Sequence, residues 1–300
     1  MSAPWTRQFR LPTDAGEILV REWGDPHGSL VVFHHGTPSS SIAVPGGWRG
    51  PSDARVRLCS YDRPGYGASP TVPGRTVADA AEWSSRIADA AGAERFAVIG
   101  TSGGGPHAAA TAALLPDRVS ALCIDVGLGP ALFGFDAATG MVEETVAEIH
   151  AARRGEAVLT AHLRSLGDGT DALHEWFERL PASDREVLGR PEVQHEESVE
   201  ATEWAAQGID GWVEDDLALF ARDWAFDPAA ITAPTVLVYG GADVLVPAAH
   251  GRAWLDVLPH AELRIVPEGG HWLRDHETDA LRWLAAAGQT TATRAPAAGV

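Results

Sequence analysis

Neither lysine nor asparagine occurs anywhere in the 300 residues, so all 23 basic positions are arginines. Without lysine there can be no phosphate-binding loop of the Walker type, no Schiff-base or pyridoxal-phosphate lysine and no serine–lysine dyad. Without asparagine there can be no N-glycosylation sequon and no cysteine–histidine–asparagine triad. Cysteine is nearly absent: Cys59 and Cys123 each sit inside an apolar run, where a free thiol behaves as a small buried hydrophobe, and no disulfide framework is implied. No run of about eighteen apolar residues occurs, and the segment 1–9 lacks a basic stretch followed by an apolar one. These absences predict a cytoplasmic protein that does not enter a membrane. Neither His-Glu-x-x-His nor cysteine pairs at zinc spacing are found, so no metal and no cofactor are expected.

Positive charge is scarce. Against 41 acidic residues the arginines leave a formal charge of -18, which opposes nucleic acid and anionic lipid, since both need basic patches that displace counterions. The expected partner is a small molecule, neutral or cationic; the oligomeric state is not readable.

What the chain does contain is a substantial apolar fraction, 45%, enough for one large α/β domain carrying an insertion. Alternation over 7–11 and 17–23 predicts an opening hairpin. Short β-branched or apolar runs at 30–34, 57–61, 96–99, 119–126, 235–239 and 263–266 read as strands buried on both faces. Helix-compatible segments at 77–91, 106–115, 248–258 and 277–286 lie between and after them, giving repeated strand–helix units and a doubly wound, mostly parallel sheet. The interval 127–230 breaks this alternation, with amphipathic segments at 141–153, 156–166, 172–180, 192–207 and 211–222. It reads as a helical cap inserted into a core formed by 1–126 and 231–287. The small, polar stretch 288–300 reads as a disordered tail.

The most informative residue is Ser102, at the centre of Gly100-Thr101-Ser102-Gly103-Gly104, with an apolar run before it and an alanine-rich helical stretch after it. A sharp strand-to-helix turn strains and exposes the central side chain and requires neighbours without Cβ atoms at Gly100 and Gly104. A serine hydroxyl is a poor nucleophile at neutral pH, so it needs a histidine to take its proton and a carboxylate to hold that histidine. Asp243 directly follows the 235–239 strand and His271 directly follows the 263–266 strand, where catalytic groups collect in such sheets. His276 is the fallback base, and Asp125, at the end of the strand entering the cap, is the rival acid. The oxyanion donors are the N–H groups of Gly103 and of Thr37, the latter in His34-His35-Gly36-Thr37-Pro38.

Together these motifs resemble the α/β-hydrolase family over nearly the whole chain. Tyr61-Asp62-Arg63-Pro64-Gly65-Tyr66-Gly67 is similar to the family's tight turn beside the oxyanion loop, with Asp62 and Arg63 in structural roles. The resemblance implies a serine hydrolase with Ser102, Asp243 and His271 as triad and a lid over the pocket. Branches that use an aspartate nucleophile, the epoxide hydrolases and haloalkane dehalogenases, are disfavoured by Ser102. The favoured activity is hydrolysis of carboxylic esters. The alternative is a proline iminopeptidase-like aminopeptidase or amidase, in which Glu197 or Glu203 would recognise an amine, although no tryptophan adjoins the serine as in that branch. A lyase or ligand receptor on the same fold ranks lower. The cap also carries Trp176, Phe177, Glu196, Trp204, Trp212, Glu214, Asp215, Asp216 and Trp224. Its aromatics are expected mostly to pack the cap onto the core, and its charge runs to face solvent.

Overall fold

A computed structural model of the protein describes residues 5–14, 16–48, 55–131, 133–166 and 177–292. Its centre is an eight-stranded sheet of β1 (Arg7–Thr13), β2 (Gly16–Gly24), β3 (Ser29–His34), β4 (Val56–Tyr61), β5 (Phe96–Thr101), β6 (Val119–Asp125), β7 (Thr235–Gly240) and β8 (Glu262–Val266). The order across the sheet is β1-β2-β4-β3-β5-β6-β7-β8. β1 and β2 pair antiparallel, as do β2 and β4, and every other neighbouring pair is parallel. Because β4 lies on one side of β3 and β5 on the other, the winding reverses at β3. A crevice therefore opens beyond its carboxyl end, the position at which ligands bind in sheets of this kind.

Helices α1 (Ala80–Ala90), α2 (Gly104–Leu114), α8 (Ala249–Val257) and α9 (Arg274–Ala292) pack on the two faces of the sheet. In α1 the buried set Ala80, Trp83, Ser84 and Ile87 recurs at three and four residues, which gives the helix one apolar stripe to lay on the sheet. On one face α1 and α2 share a core with Val98 and Ile124, and on the other Leu281 and Leu284 of α9 pack over Phe33, Ile99 and Cys123. Cys59 and Cys123 are buried and free.

Between β6 and β7 the chain forms α3 (Glu143–Arg153), α4 (Glu156–Leu166), α5 (Ala182–Leu188), α6 (Pro191–Trp204) and α7 (Asp210–Phe220), with no strand among the described residues. The expected helix at 172–180 falls largely outside the described residues, as does Trp176. Three differences from the sequence expectation stand out. Helix α5 has no counterpart in it, because ASDREVL shows no apolar period. The last strand, β8, is half exposed because it lies at the sheet edge. The last helix runs on to Ala292, past the boundary at 287, and residues 293–300 lie outside the described residues. No helix among the described residues is long and apolar enough to cross a membrane.

Candidate active site

Ser102 occupies the turn between β5 and α2 with φ 54°, a left-handed conformation that a non-glycine residue adopts only when its surroundings impose it. The surroundings are main chain. Its N–H donates to Asp125 O at 3.1 Å, and its carbonyl accepts from Gly105 N at 3.0 Å and Leu128 N at 3.2 Å. A Cβ on Gly100 would collide with the carbonyl oxygen of Gly104, and one on Gly104 with the carbonyl oxygen of His34. The glycines therefore let the elbow close on itself and on the loop that leaves β3.

That loop brings Thr37 against Gly103, whose missing Cβ would otherwise strike Thr37 Oγ1. Neither the Thr37 nor the Gly103 amide donates to an acceptor among the described residues. Arg63 fixes the loop from behind, donating from Nη2 to Gly36 O at 2.7 Å and to Thr37 Oγ1 at 3.1 Å, and from Nη1 to His35 O. The peptide from Thr37 to Pro38 is cis.

On the opposite side, His271 and Asp243 meet: the imidazole Nδ1 lies 2.8 Å from Asp243 Oδ2. Asp243 Oδ1 accepts the N–H groups of Leu245 at 2.8 Å and Val246 at 2.9 Å, so the carboxylate is oriented at both oxygens. Burial alone would lower the proton affinity of His271. The charge and hydrogen bond of Asp243, helped by the charges of Asp184 and Glu277, overcome it and hold the imidazole above its ordinary value.

Ser102, Gly103, Thr37 and His271 line one cavity of about 1250 Å³, with Asp243 behind the histidine. Neither of the two competing candidates lines that cavity. Asp125 is fully buried and takes a 3.4 Å bond from Thr101 Oγ1, while its burial and the charge of Glu277 hold its carboxyl well above the usual range. His276 is exposed on the first turn of α9.

The helical insertion contributes more to this region than its sequence indicates. Asp215 of α7, expected on a solvated face, is fully buried and accepts from Thr37 Oγ1 at 2.7 Å, Arg63 Nε at 3.1 Å and Tyr66 Oη at 3.0 Å, with Arg75 Nη2 at 2.6 Å. Burial favours its neutral form, but the Arg63 and Arg75 guanidiniums prevail and hold the carboxyl well below the usual carboxylate range. A signal was present: in GWVEDDLALF, Asp215 shares a helix face with Trp212 and Leu219. Asp216 is buried too, its carboxyl kept high by burial and by Glu148. Arg63 and Asp62 act structurally as expected, the Asp62 carboxylate accepting from Ser41 N at 2.8 Å and Ala68 N at 2.9 Å.

The cavity wall is acidic. Helix α6 lends it Glu196, Glu197, Glu200 and Glu203, while Arg179 and Arg274 on the wall are ion-paired with Glu144 and Glu196. Glu200 accepts from Ser39 Oγ beside the Thr37 loop and is pushed up to about 8 by burial and then by Glu197. Glu203 pairs with Arg21 at 3.1 Å. Of the aromatics, Trp212 faces the cavity and donates to Glu148, whereas Trp224 is fully buried against Phe226 and Trp254.

A family model described as the alpha/beta hydrolase fold matches residues 29–276. The chain is 26% identical, over 282 residues and 90% of each chain, to a 2-hydroxy-6-oxononadienedioate/2-hydroxy-6-oxononatrienedioate hydrolase of a Pseudomonas species. Among solved structures it is similar to an esterase from Exiguobacterium antarcticum, with TM-score 0.69 and 20% identity over 94% of this chain and 100% of that one. It is also similar to the proline iminopeptidase of Mycobacterium smegmatis, with TM-score 0.65 and 17% identity over 95% of this chain and 100% of that one. At such identities the likeness is one of fold.

Proposed function

Because the chain belongs to the α/β-hydrolase family, we propose that it is a serine hydrolase that cleaves small-molecule carboxylic esters through an acyl-enzyme, with the helical insertion 127–230 as the cap over its pocket. The observation that carries this reading is the 2.8 Å contact between His271 Nδ1 and Asp243 Oδ2 at the wall of the cavity that Ser102, Gly103 and Thr37 also line. With Nδ1–H donated to Asp243, the free Nε2 of His271 is the basic nitrogen. It takes the proton of Ser102 as the oxygen attacks the ester carbonyl, and Asp243 stabilises the imidazolium that results. The unengaged amides of Thr37 and Gly103 receive the oxyanion; removing one such donor ordinarily raises the barrier by about 3–4 kcal/mol. His271 then gives its proton to the leaving alcohol, and water repeats the cycle on the acyl group.

The acidic wall favours a neutral or cationic substrate. The Pseudomonas relative is named for a dioate, a doubly negative molecule, whereas in this cavity the wall arginines Arg179 and Arg274 are already ion-paired with Glu144 and Glu196 and are not left over to neutralise such a charge. The carboxylates of the wall favour, as the second reading, an aminopeptidase that binds a free amine. The two readings separate on paired substrates: a short-chain aryl ester turns over under the first, and a proline arylamide with a free α-amine under the second.

A fluorophosphonate probe followed by peptide mapping is expected to modify Ser102. Ser102→Ala is expected to lower kcat/KM on p-nitrophenyl butyrate by at least about a thousandfold. Labelling at another residue, or full activity in that variant, would remove Ser102 as the nucleophile. Product release limited to one equivalent would indicate a receptor rather than an enzyme.

A further inference from the structure

One buried side chain of the insertion touches the catalytic histidine's own backbone and has no part in the mechanism above. Asp184, in the first turn of α5, is fully buried. Its Oδ2 accepts the N–H of His271 at 2.9 Å, and its Oδ1 accepts the N–H of Trp272 at 3.1 Å. The approach is possible only because residue 270 is glycine, since a Cβ there would collide with the carboxylate. Two successive amides bound to the two oxygens of one carboxylate fix the orientation of the peptide between them, and with it the direction in which the His271 side chain leaves the backbone. These are charge-assisted bonds in a place that excludes water, where orientation is costly to lose.

His271 is therefore gripped at two ends by carboxylates of different origin. Asp243, from the loop after β7, holds the ring. Asp184, from the insertion 87 residues earlier in the chain, holds the main chain. Resting on the reading of His271 as the general base, we propose that Asp184 is a positioning residue for His271, so that the insertion assembles the catalytic site as well as covering it. The chemistry agrees with the geometry: the charge of Asp184 adds to that of Asp243 in raising the proton affinity of the imidazole. A carboxylate that only fastened α5 to the core would leave the aim of the ring unchanged.

Asp184→Asn separates these roles, because the amide keeps the volume of the carboxylate while losing its charge and one acceptor oxygen. On p-nitrophenyl butyrate kcat is expected to fall about tenfold, as for a misaligned base, with KM within about twofold. The acid limb of the kcat/KM profile is expected to move to lower pH by about half a unit, because the neutral base forms more easily once a nearby negative charge is gone. Gly270→Ala displaces the carboxylate from the opposite side and is expected to lower kcat in the same way, which keeps the test open if Asp184→Asn does not fold. An unchanged kcat and acid limb, with only a lower Tm, would make Asp184 a fastening for α5 and overturn the proposal. If Ser102→Ala and His271→Ala abolish turnover while Asp184→Asn does not alter it, the Asp184 assignment alone fails. If those two variants remain active, the catalytic reading fails and this assignment with it.

Discussion

The loops at the carboxyl ends of the strands and the helical insertion hold the same cavity by different means. In the loops the backbone does the work: Ser102 is fixed by three main-chain bonds and by two glycines that allow close approach, and Asp243 by two amides of its own loop. The insertion holds on through side-chain charge. Asp215 binds the Thr37 loop together with Arg63 and Arg75, and Asp184 binds the His271 loop. The contrast teaches that the two regions should fail differently. Substitutions in the loops should remove chemistry and leave the fold standing, whereas substitution of Asp215 leaves buried arginines without a partner and should cost stability first; Asp184, whose partners are two amides of the His271 loop, should behave as the loops do.

The sharpest way to break this contrast is Asp215→Ala. Arg63 and Arg75 would remain buried without their carboxylate, and unfolding in urea is expected to show a loss of about 3–5 kcal/mol. A loss below about 1 kcal/mol would mean that the insertion is attached elsewhere and that the comparison is wrong. A smaller effect concerns the loops. Under the proposed mechanism His271 must be neutral to accept the serine proton, and Asp243 holds its proton affinity above the ordinary 6.5 despite burial. Activity should therefore rise with pH, changing by about tenfold per unit below a midpoint that lies above 6.5. A flat kcat/KM profile, or a midpoint well below that value, would contradict the pairing. The smallest effect is expected for Glu203→Gln. Arg21 keeps its bonds to Ser41 and Gln8, and the Glu203 side chain is 31% exposed, so thermal unfolding should register less than about 1 kcal/mol. A larger loss would extend the anchoring role to α6.

The same contrast governs what could be read from the chain. The elbow at Ser102 and the loops carrying Asp243 and His271 were legible because each follows a short apolar run and is flanked by glycine, and both features are local. Thr37 was legible for the same reason. Asp184 was not, because an acidic residue in a polar helical stretch looks alike whether it meets water or a buried amide, and Asp215 was marked only by the helix face it shares with Trp212 and Leu219. The expectation of solvated charge in the cap failed at Asp215 and Asp216 for that reason. Trp224 behaved as the bland expectation had it, packing into the core, while Trp212 turned to the cavity.

By itself, the sequence determined the alternation of strands and helices around the sheet, the strained turn at Ser102, and the places beyond the strand ends where Asp243 and His271 emerge. Periodicity and glycine placement express short-range sterics, and these need only a few neighbouring residues. Tertiary structure alone decided which carboxylate reached which partner. Asp215 meets Arg63 across 152 positions of chain and Asp184 meets His271 across 87. The strength of a charge's interactions depends on its burial and on what the fold places beside it, and neither is encoded in the residues next to it in the chain.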